Sequence, residues 1–238
     1  MHHVTAVIAA GGSGSRMGAG TNKQYLDLLG KPLLAHTLEV FQLSGLVMDV
    51  AVVVPAKDKE YCVQNIIKPF GFTKVRTVVA GGMERQESVF NGLMNLPAEG
   101  EFVAVHDGAR PLLLPEVLEK VIRAAFDFGC AAAAVPVKDT IKVSDDSGFI
   151  VSTPERDRLW SVQTPQVFKK DILVRAHAEG RKNATLATDD AALVEKLGLP
   201  VKLVQASYEN IKVTTPEDLE LAALILERRR RYENGDGI

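Results

Sequence analysis

Short continuous apolar runs alternate along this chain with stretches of helical periodicity, and that alternation restricts the fold more than any other property of the sequence. The run from Val4 to Ala10 breaks off in glycines. After it, "KPLLAHTLEVFQLSG" sets Leu34, Leu38 and Phe41 on one helical face, and "VMDVAVVVP" is an apolar run of buried-strand length. The rhythm continues with "DKEYCVQNIIKPFG" as helix, "KVRTVVA" as strand, "MERQESVFNGLMNL" as helix, "EFVAVH" as strand, "LPEVLEKVIRAAFDFG" as helix and "CAAAAVPV" as strand. Strand-helix-strand repetition of this kind predicts an α/β fold: a mostly parallel twisted sheet with helices on both faces, joined by right-handed crossovers.

The rhythm breaks at "VKDTIKVSDDSGFIVSTPERDRLW", where β-branched residues flank Asp-Asp-Ser-Gly, the composition of a hairpin turn. Residues 138–159 are therefore expected to form an inserted β-arm on a single domain spanning 1–238. Helix-like "KKDILVRAHAEG" and "TDDAALVEKLG" follow, then strand "VKLVQA" and a strand-like "NIKV". Thr215-Pro216-Glu217-Asp218 is a helix-start signature, and Arg228 to Arg231 complement the negative end of the helix it opens rather than forming a nucleic-acid tail.

Composition narrows the partner. A formal net charge of −2 exerts no global pull on nucleic acid or anionic membrane, so any polyanion must be met by a local cluster of cations. Cys62 and Cys130 lie far apart without metal-ligand spacing in apolar segments, which fits small hydrophobes in a reducing compartment. Val4 to Ala10 reaches only the lower bound of a signal-peptide core and has no Lys or Arg before it. Apolar runs nowhere approach the roughly 18 residues of a membrane span. The expectation is a soluble cytoplasmic protein acting on small molecules.

In an open parallel sheet, ligands collect at the carboxyl ends of the strands, so the loops after Ala10, Ala80 and His106 should face one crevice. The first loop, "AAGGSGSRMG", offers glycines that let backbone approach a phosphate, with Arg16 and the nearby Lys23 as cations. A dinucleotide fingerprint counted from Gly12 and Gly14 needs glycine where Met17 stands, and no Gly-Lys-Ser/Thr completes a P-loop. The other two loops carry "GGMERQES" and "HDGARP".

Taken in order, "AAGGSGSRMG", "KQY", "GGMERQES", "HDGARP", "KDTIK", "TPQVF", "TDDAAL" and "ENIKVTTPEDL" resemble the 2-C-methyl-D-erythritol 4-phosphate cytidylyltransferase family over almost the whole chain. The resemblance implies a Rossmann-like nucleotidyltransferase fold. It implies transfer of CMP from CTP to the phosphate of methylerythritol phosphate in non-mevalonate isoprenoid synthesis, with Mg²⁺ or another divalent cation present. The chemistry is consistent with the absence of a catalytic triad: a phosphate monoester with its second pKa near 6 is already ionised at pH 7, so the task is to bring two polyanions together.

By the same resemblance Arg16 and Lys23 hold the triphosphate, and the backbone at Ala9, Ala10, Gly11 and Gly12 lines the nucleotide pocket. Gly82, Met83 and Ser88 read cytosine, with Arg85 bracing the loop; the family often carries aspartate where this chain has Met83, leaving selection to backbone groups. Asp107 binds either the metal or a substrate hydroxyl, whereas His106 is read as a packed histidine because the reaction needs no base. Arg110, Thr140, Arg156, Thr164, Thr188 and Lys212 surround the polyol phosphate, Arg156 and Lys212 positioning it for attack. In the family a neighbouring subunit's arm covers the active site, which implies a homodimer with shared sites. Competing readings are a ribitol 5-phosphate cytidylyltransferase, another sugar-phosphate nucleotidyltransferase, and a catalytically silent nucleotide-binding regulator.

Overall fold

Strand β1 (Val4–Ala9) lies near the middle of the molecule, and its side chains alternate between two buried clusters. Val4, Ala6 and Ile8 join one cluster with Leu34, Leu38 and Phe41; Val7 joins the other with Val89 and Leu93. A strand buried on both faces is what a continuous apolar run requires. The computed structural model describes residues 2–11, 22–97 and 99–233.

Along the chain β1 is followed by a small ribbon of β2 (Asp27–Leu28) and β3 (Lys31–Pro32), then α1 (Leu33–Leu43), β4 (Val47–Val54), α2 (Lys59–Cys62) and β5 (Val75–Ala80). Next come α3 (Arg85–Met94), β6 (Phe102–Asp107), α4 (Pro115–Phe128) and β7 (Cys130–Pro136). The second half holds β8 (Val143–Ser144), β9 (Ile150–Ser152), β10 (Trp160–Lys169), α5 (Lys170–Lys182), α6 (Asp190–Glu195), β11 (Lys202–Gln205) and α7 (Pro216–Glu233).

Seven strands form one sheet in the order β11-β7-β10-β6-β1-β4-β5. The β1–β4, β1–β6, β4–β5 and β7–β11 pairs are parallel, while β10 runs antiparallel to both β6 and β7. The expected mostly parallel sheet is thus present, with α1 and α4 packed on one face and α3, α5 and α6 on the other. Helix α4 buries Val117, Leu118, Val121, Ile122 and Ala125, an i, i+3/i+4 stripe. Each large buried side chain there contributes about 1.5 to 3 kcal/mol.

Two local readings change, and one strand goes unread in the sequence. The helix expected from Asp58 to Gly71 holds only four residues of α-helix before widening into a π turn over Val63–Ile67; Pro69, with no N–H and a ring that meets the preceding turn, explains its end. The segment "TPQVF" belongs to β10, a strand whose mixed sequence hides it: Gln163, Thr164 and Gln166 are buried but hydrogen-bonded. "NIKV" is not a strand but an extended loop, tied down where Val213 N–H donates to the Ala109 carbonyl at 2.8 Å.

Helix α7 opens as its signature requires, with Asp218 accepting from the N–H groups of Thr214 and Thr215 at 2.8 and 2.9 Å. At its far end Arg228 and Arg229 pair with Glu209, and Arg229 also donates to the Leu112 carbonyl at 3.2 Å. These arginines therefore clamp α7 to neighbouring loops in addition to meeting the helix dipole. A third cluster, including Leu28, Leu33, Leu112, Val213 and Ala222, seats α7 beside the end of β6. Cys62 and Cys130 are free and buried, and among the described residues no helix is long and apolar enough to cross a membrane.

Candidate active site

The strand order reverses at β1 and β6, because the chain leaves β1 toward β4 on one side and returns to β6 on the other. A crevice opens beyond the carboxyl ends of such a pair. Gly108 permits the close approach there: a Cβ would lie 2.9 Å from the Ala10 Cβ, and the Gly108 N–H donates to the Ala9 carbonyl at 2.8 Å. The resulting cavity holds about 390 Å³ and is bounded by Ala9 to Gly11, Lys23, the turn at Gly82 and Met83, Asp107 and Lys212.

Asp107, the last residue of β6, organises the cavity's charge. Its Oδ1 accepts from Arg85 Nε at 3.0 Å, its Oδ2 from Lys212 Nζ at 2.8 Å, and Arg110 Nε lies 3.8 Å away. Burial alone would raise the Asp107 carboxyl, but Arg85, Lys212 and Arg110 hold it well below the usual carboxylate range. Arg85 in turn donates from Nη1 to Asp190 at 2.8 Å, and Asp190 faces His177 Nε2 at 3.0 Å. Burial works against the Arg85 charge, yet its two carboxylates raise its pKa further.

His106 is fully buried and is not a base: burial pushes its imidazole down to about 4. It completes a chain of neutral hydrogen bonds that fixes Asp107. The Asp107 N–H donates to Thr164 Oγ1 at 3.0 Å, the Thr164 hydroxyl to His106 Nδ1 at 3.0 Å, and His106 Nε2–H to the Arg110 carbonyl at 3.2 Å. That sequence of donors assigns the proton to Nε2.

Opposite Asp107, the turn between β5 and α3 closes on itself. Gly82 N–H donates to Ser88 Oγ at 3.1 Å and Met83 N–H to Glu87 Oε2 at 2.8 Å, so the backbone donors expected to meet a base are already bonded within the loop. The Met83 side chain is 95% exposed. On the third side, Lys23 Nζ donates to the Val213 carbonyl at 3.2 Å, tying the Lys23–Tyr25 turn to the loop that carries Lys212.

Among the sequence-predicted residues, Ala9, Ala10, Gly11, Lys23, Gly82, Met83, Arg85, Ser88, Asp107 and Lys212 share this cavity. Arg110 and Thr164 stand behind it, Arg110 Nη1 donating to the Asn210 carbonyl at 2.7 Å. Thr140 and Arg156 lie exposed on the arm, and Thr188 lies exposed before α6, so this chain alone does not bring them to the cavity. Gly12 and Arg16 lie outside the described residues.

Sequence reading missed three supports. Gln24 is buried and lines the cavity from the "KQY" segment. Asp190 holds Arg85 from the interior, although its neighbour Asp189 is the ordinary cap, accepting from Ala192 N–H at 2.9 Å. Asn210 anchors the Lys212 loop by donating to Gln163 Oε1 and the Thr164 carbonyl, both at 2.9 Å. The available signal was two adjacent aspartates before a helix, only one of which a cap can use.

Known proteins can now be set beside this geometry. A solved 4-diphosphocytidyl-2C-methyl-D-erythritol synthase from Anaerococcus prevotii superposes with a TM-score of 0.85 at 31% identity, covering 95% of this chain and 97% of that one. Two proteins named 2-C-methyl-D-erythritol 4-phosphate cytidylyltransferase are similar over nearly full length. The Alkaliphilus metalliredigens protein is 51% identical over 97% of this chain and 95% of its own, and the Pelotomaculum thermopropionicum protein is 49% identical over 97% of each. The sequence profile of the same family matches residues 4–228. With the cavity, the sheet order and nearly every residue of the chain accounted for by one pattern, the chain belongs to the 2-C-methyl-D-erythritol 4-phosphate cytidylyltransferase family.

Proposed function

We propose that this nucleotidyltransferase moves CMP from CTP to the phosphate of 2-C-methyl-D-erythritol 4-phosphate, giving 4-diphosphocytidyl-2-C-methyl-D-erythritol and pyrophosphate in non-mevalonate isoprenoid synthesis. The observation that carries the reading is Asp107 at the β1–β6 reversal, paired inside one cavity with Arg85 and Lys212 and backed from behind it by Arg110. An acceptor oxygen bonds to the α-phosphorus as the bond to the β-phosphate oxygen breaks, and pyrophosphate carries away the electron pair. The acceptor phosphate is largely dianionic at neutral pH, so no side chain need remove a proton. The protein's contribution is to hold two anions in line and neutralise their repulsion.

Within that scheme Lys23 and Arg16 take the triphosphate, the Ala9 to Gly12 backbone and the Gly82–Ser88 turn take the nucleoside, and Lys212 and Arg110 take the acceptor. Lys212 is well placed for exchange. Its ammonium pairs with Asp107 in this structure, and an incoming phosphate offers a second anion to which it can turn. The arm, with Thr140 and Arg156, supplies the remaining contacts to a neighbouring copy's site, alongside Thr164 and Thr188. Exposed Phe149, Ile150 and Val151 on the arm support a homodimer.

A divalent cation fits this donor set alongside nucleotide phosphates. Among the described residues no cluster of three or more His, Cys, Asp or Glu could hold a metal ion. Asp107, whose neighbouring cations hold it ionised, shares the cavity lining with the Glu84 carboxylate. Mg²⁺ binds well to one carboxylate plus nucleotide phosphates, so Asp107 would be the protein ligand, and the ion would supply charge neutralisation. Two buried free thiols favour a reducing cytoplasm, where CTP is also available.

The test is pyrophosphate release by purified protein with Mg²⁺, crossing CTP, UTP, ATP and GTP against methylerythritol 4-phosphate and ribitol 5-phosphate. Release confined to CTP with methylerythritol phosphate is expected. Preference for ribitol phosphate would overturn the acceptor, and CTP binding without release in any pairing would overturn catalysis.

A further inference from the structure

Resting on the reading of the β5–α3 turn as the cytosine site, we infer that Glu87 determines base specificity by fixing which face of the turn's peptide groups meets the nucleobase. Two consecutive backbone donors, Gly82 N–H and Met83 N–H, are taken by adjacent side chains of the first turn of α3, Ser88 Oγ at 3.1 Å and Glu87 Oε2 at 2.8 Å. Glu87 lies flat across Gly82: a Cβ at that glycine would sit 2.3 Å from its Cγ, Cδ and Oε2. The Met83 side chain is 95% exposed and carries no group that could orient the turn's peptides as the Glu87 carboxylate does.

Peptide geometry then decides what the turn can offer a ligand. The cis bond among the described residues is Thr164–Pro165, so the Gly81–Gly82 and Gly82–Met83 peptides are trans, and each carbonyl points opposite to its N–H. With both N–H groups turned onto α3, the Gly81 and Gly82 carbonyls point away from it. A carbonyl accepts; it suits the exocyclic amine of cytosine and opposes the O4 oxygen that uracil carries in the same place. Glu87 thereby selects an amino base without touching it. Freed from Glu87, the Met83 peptide can turn its N–H outward and serve uracil instead. Because the carboxylate comes from the helix at position 87, the loop needs no acidic side chain at position 83.

The experiment measures kcat and KM for CTP and UTP with methylerythritol 4-phosphate in Glu87→Ala, Glu87→Gln, Gly82→Ala and Ser88→Ala, with thermal unfolding of each as a control. Glu87→Ala is expected to raise the UTP:CTP ratio of kcat/KM roughly tenfold, mainly through KM. Glu87→Gln, whose amide oxygen still accepts from Met83 N–H, should recover most of the discrimination. Gly82→Ala, whose methyl displaces the carboxylate, should behave like Glu87→Ala. Proportional changes with both nucleotides, or no recovery in Glu87→Gln, would overturn the inference. If Ser88→Ala moves the ratio while Glu87→Ala does not, the inference alone falls; if neither moves it, the base does not lie against this turn and the parent reading falls with it.

Discussion

The end of β6 and the arm at 138–159 are built on opposite plans. Around Asp107 every charge has a partner inside the chain: Arg85 ties it to Asp190 and His177, Lys212 and Arg110 close the other side, and Thr164 and His106 hold its backbone. The arm has the reverse character. Its β8–β9 hairpin presents Phe149 at 72% exposure and Ile150 and Val151 at 65% each. A self-satisfied cluster holds positions before a ligand arrives, whereas exposed apolar side chains on a hairpin mark a surface suited to contact from outside the chain.

The sharpest way to break this contrast is to remove the strut of the self-satisfied region. Arg85→Met would leave Asp107 and Asp190 facing each other's surroundings without their shared cation. A stability loss of roughly 3 to 5 kcal/mol by denaturant unfolding is expected, as for breaking a buried pair. Adding Asp190→Asn should recover part of it by removing one stranded charge. A loss below about 1 kcal/mol would reduce the network to the value of a surface pair.

Acid provides the next test. His106 titrates near 4 in the folded chain and near 6.5 when unfolded, so between those values the unfolded state binds the extra proton. Stability should therefore fall as pH drops from about 6.5 to 4, by about 3 kcal/mol from this group. The carboxylates of Asp107 and Asp190, depressed when folded, lose their contribution only at lower pH. Following the His106 ring by NMR checks the assignment directly; protonation near pH 6 would mean that the histidine is not sealed in the cluster.

On the rate, Lys23→Ala is expected to lower kcat by about a hundredfold, the effect of removing a preorganised charge donor. Circular dichroism should change little, because Lys23 donates to the Val213 carbonyl and not to the Asp107 cluster's own ion pairs. Near wild-type turnover would contradict its role.

What the sequence made legible follows from the same physics. β1, β4, β6 and β7 were readable because strands buried on both faces must be apolar throughout, and α4 because its stripe is regular. β10 was not, since Gln163, Thr164 and Gln166 are buried through hydrogen bonds that only the tertiary structure supplies. In the site, Lys212 and Asp107 were legible through the family resemblance, and the structure brings them together as an ion pair at 2.8 Å. Asp190, Asn210 and Glu87 act through other side chains or backbone, and their partners lie at distances in sequence or in orientations that no local pattern encodes.

The arm gives the smallest effect on stability and the clearest effect on assembly. Replacing Phe149 and Ile150 by serine should leave the unfolding free energy of the isolated chain within about 0.5 kcal/mol, because both side chains are already in water. If the arm seats on a second copy, the same change should shift sedimentation toward monomer and reduce activity in a concentration-dependent way. Arg156 separates assembly from catalysis: it lies on the arm, donates to the Lys138 carbonyl at 3.3 Å, and is not among the described residues that line its own cavity. Inactive Arg156→Ala chains mixed with inactive Lys23→Ala chains should regain activity, since one site of the mixed dimer would receive an intact cavity from one copy and an intact arm from the other. Proven mixed dimers without recovery would leave the arm as a contact surface only and confine the catalytic machinery to the cluster around Asp107.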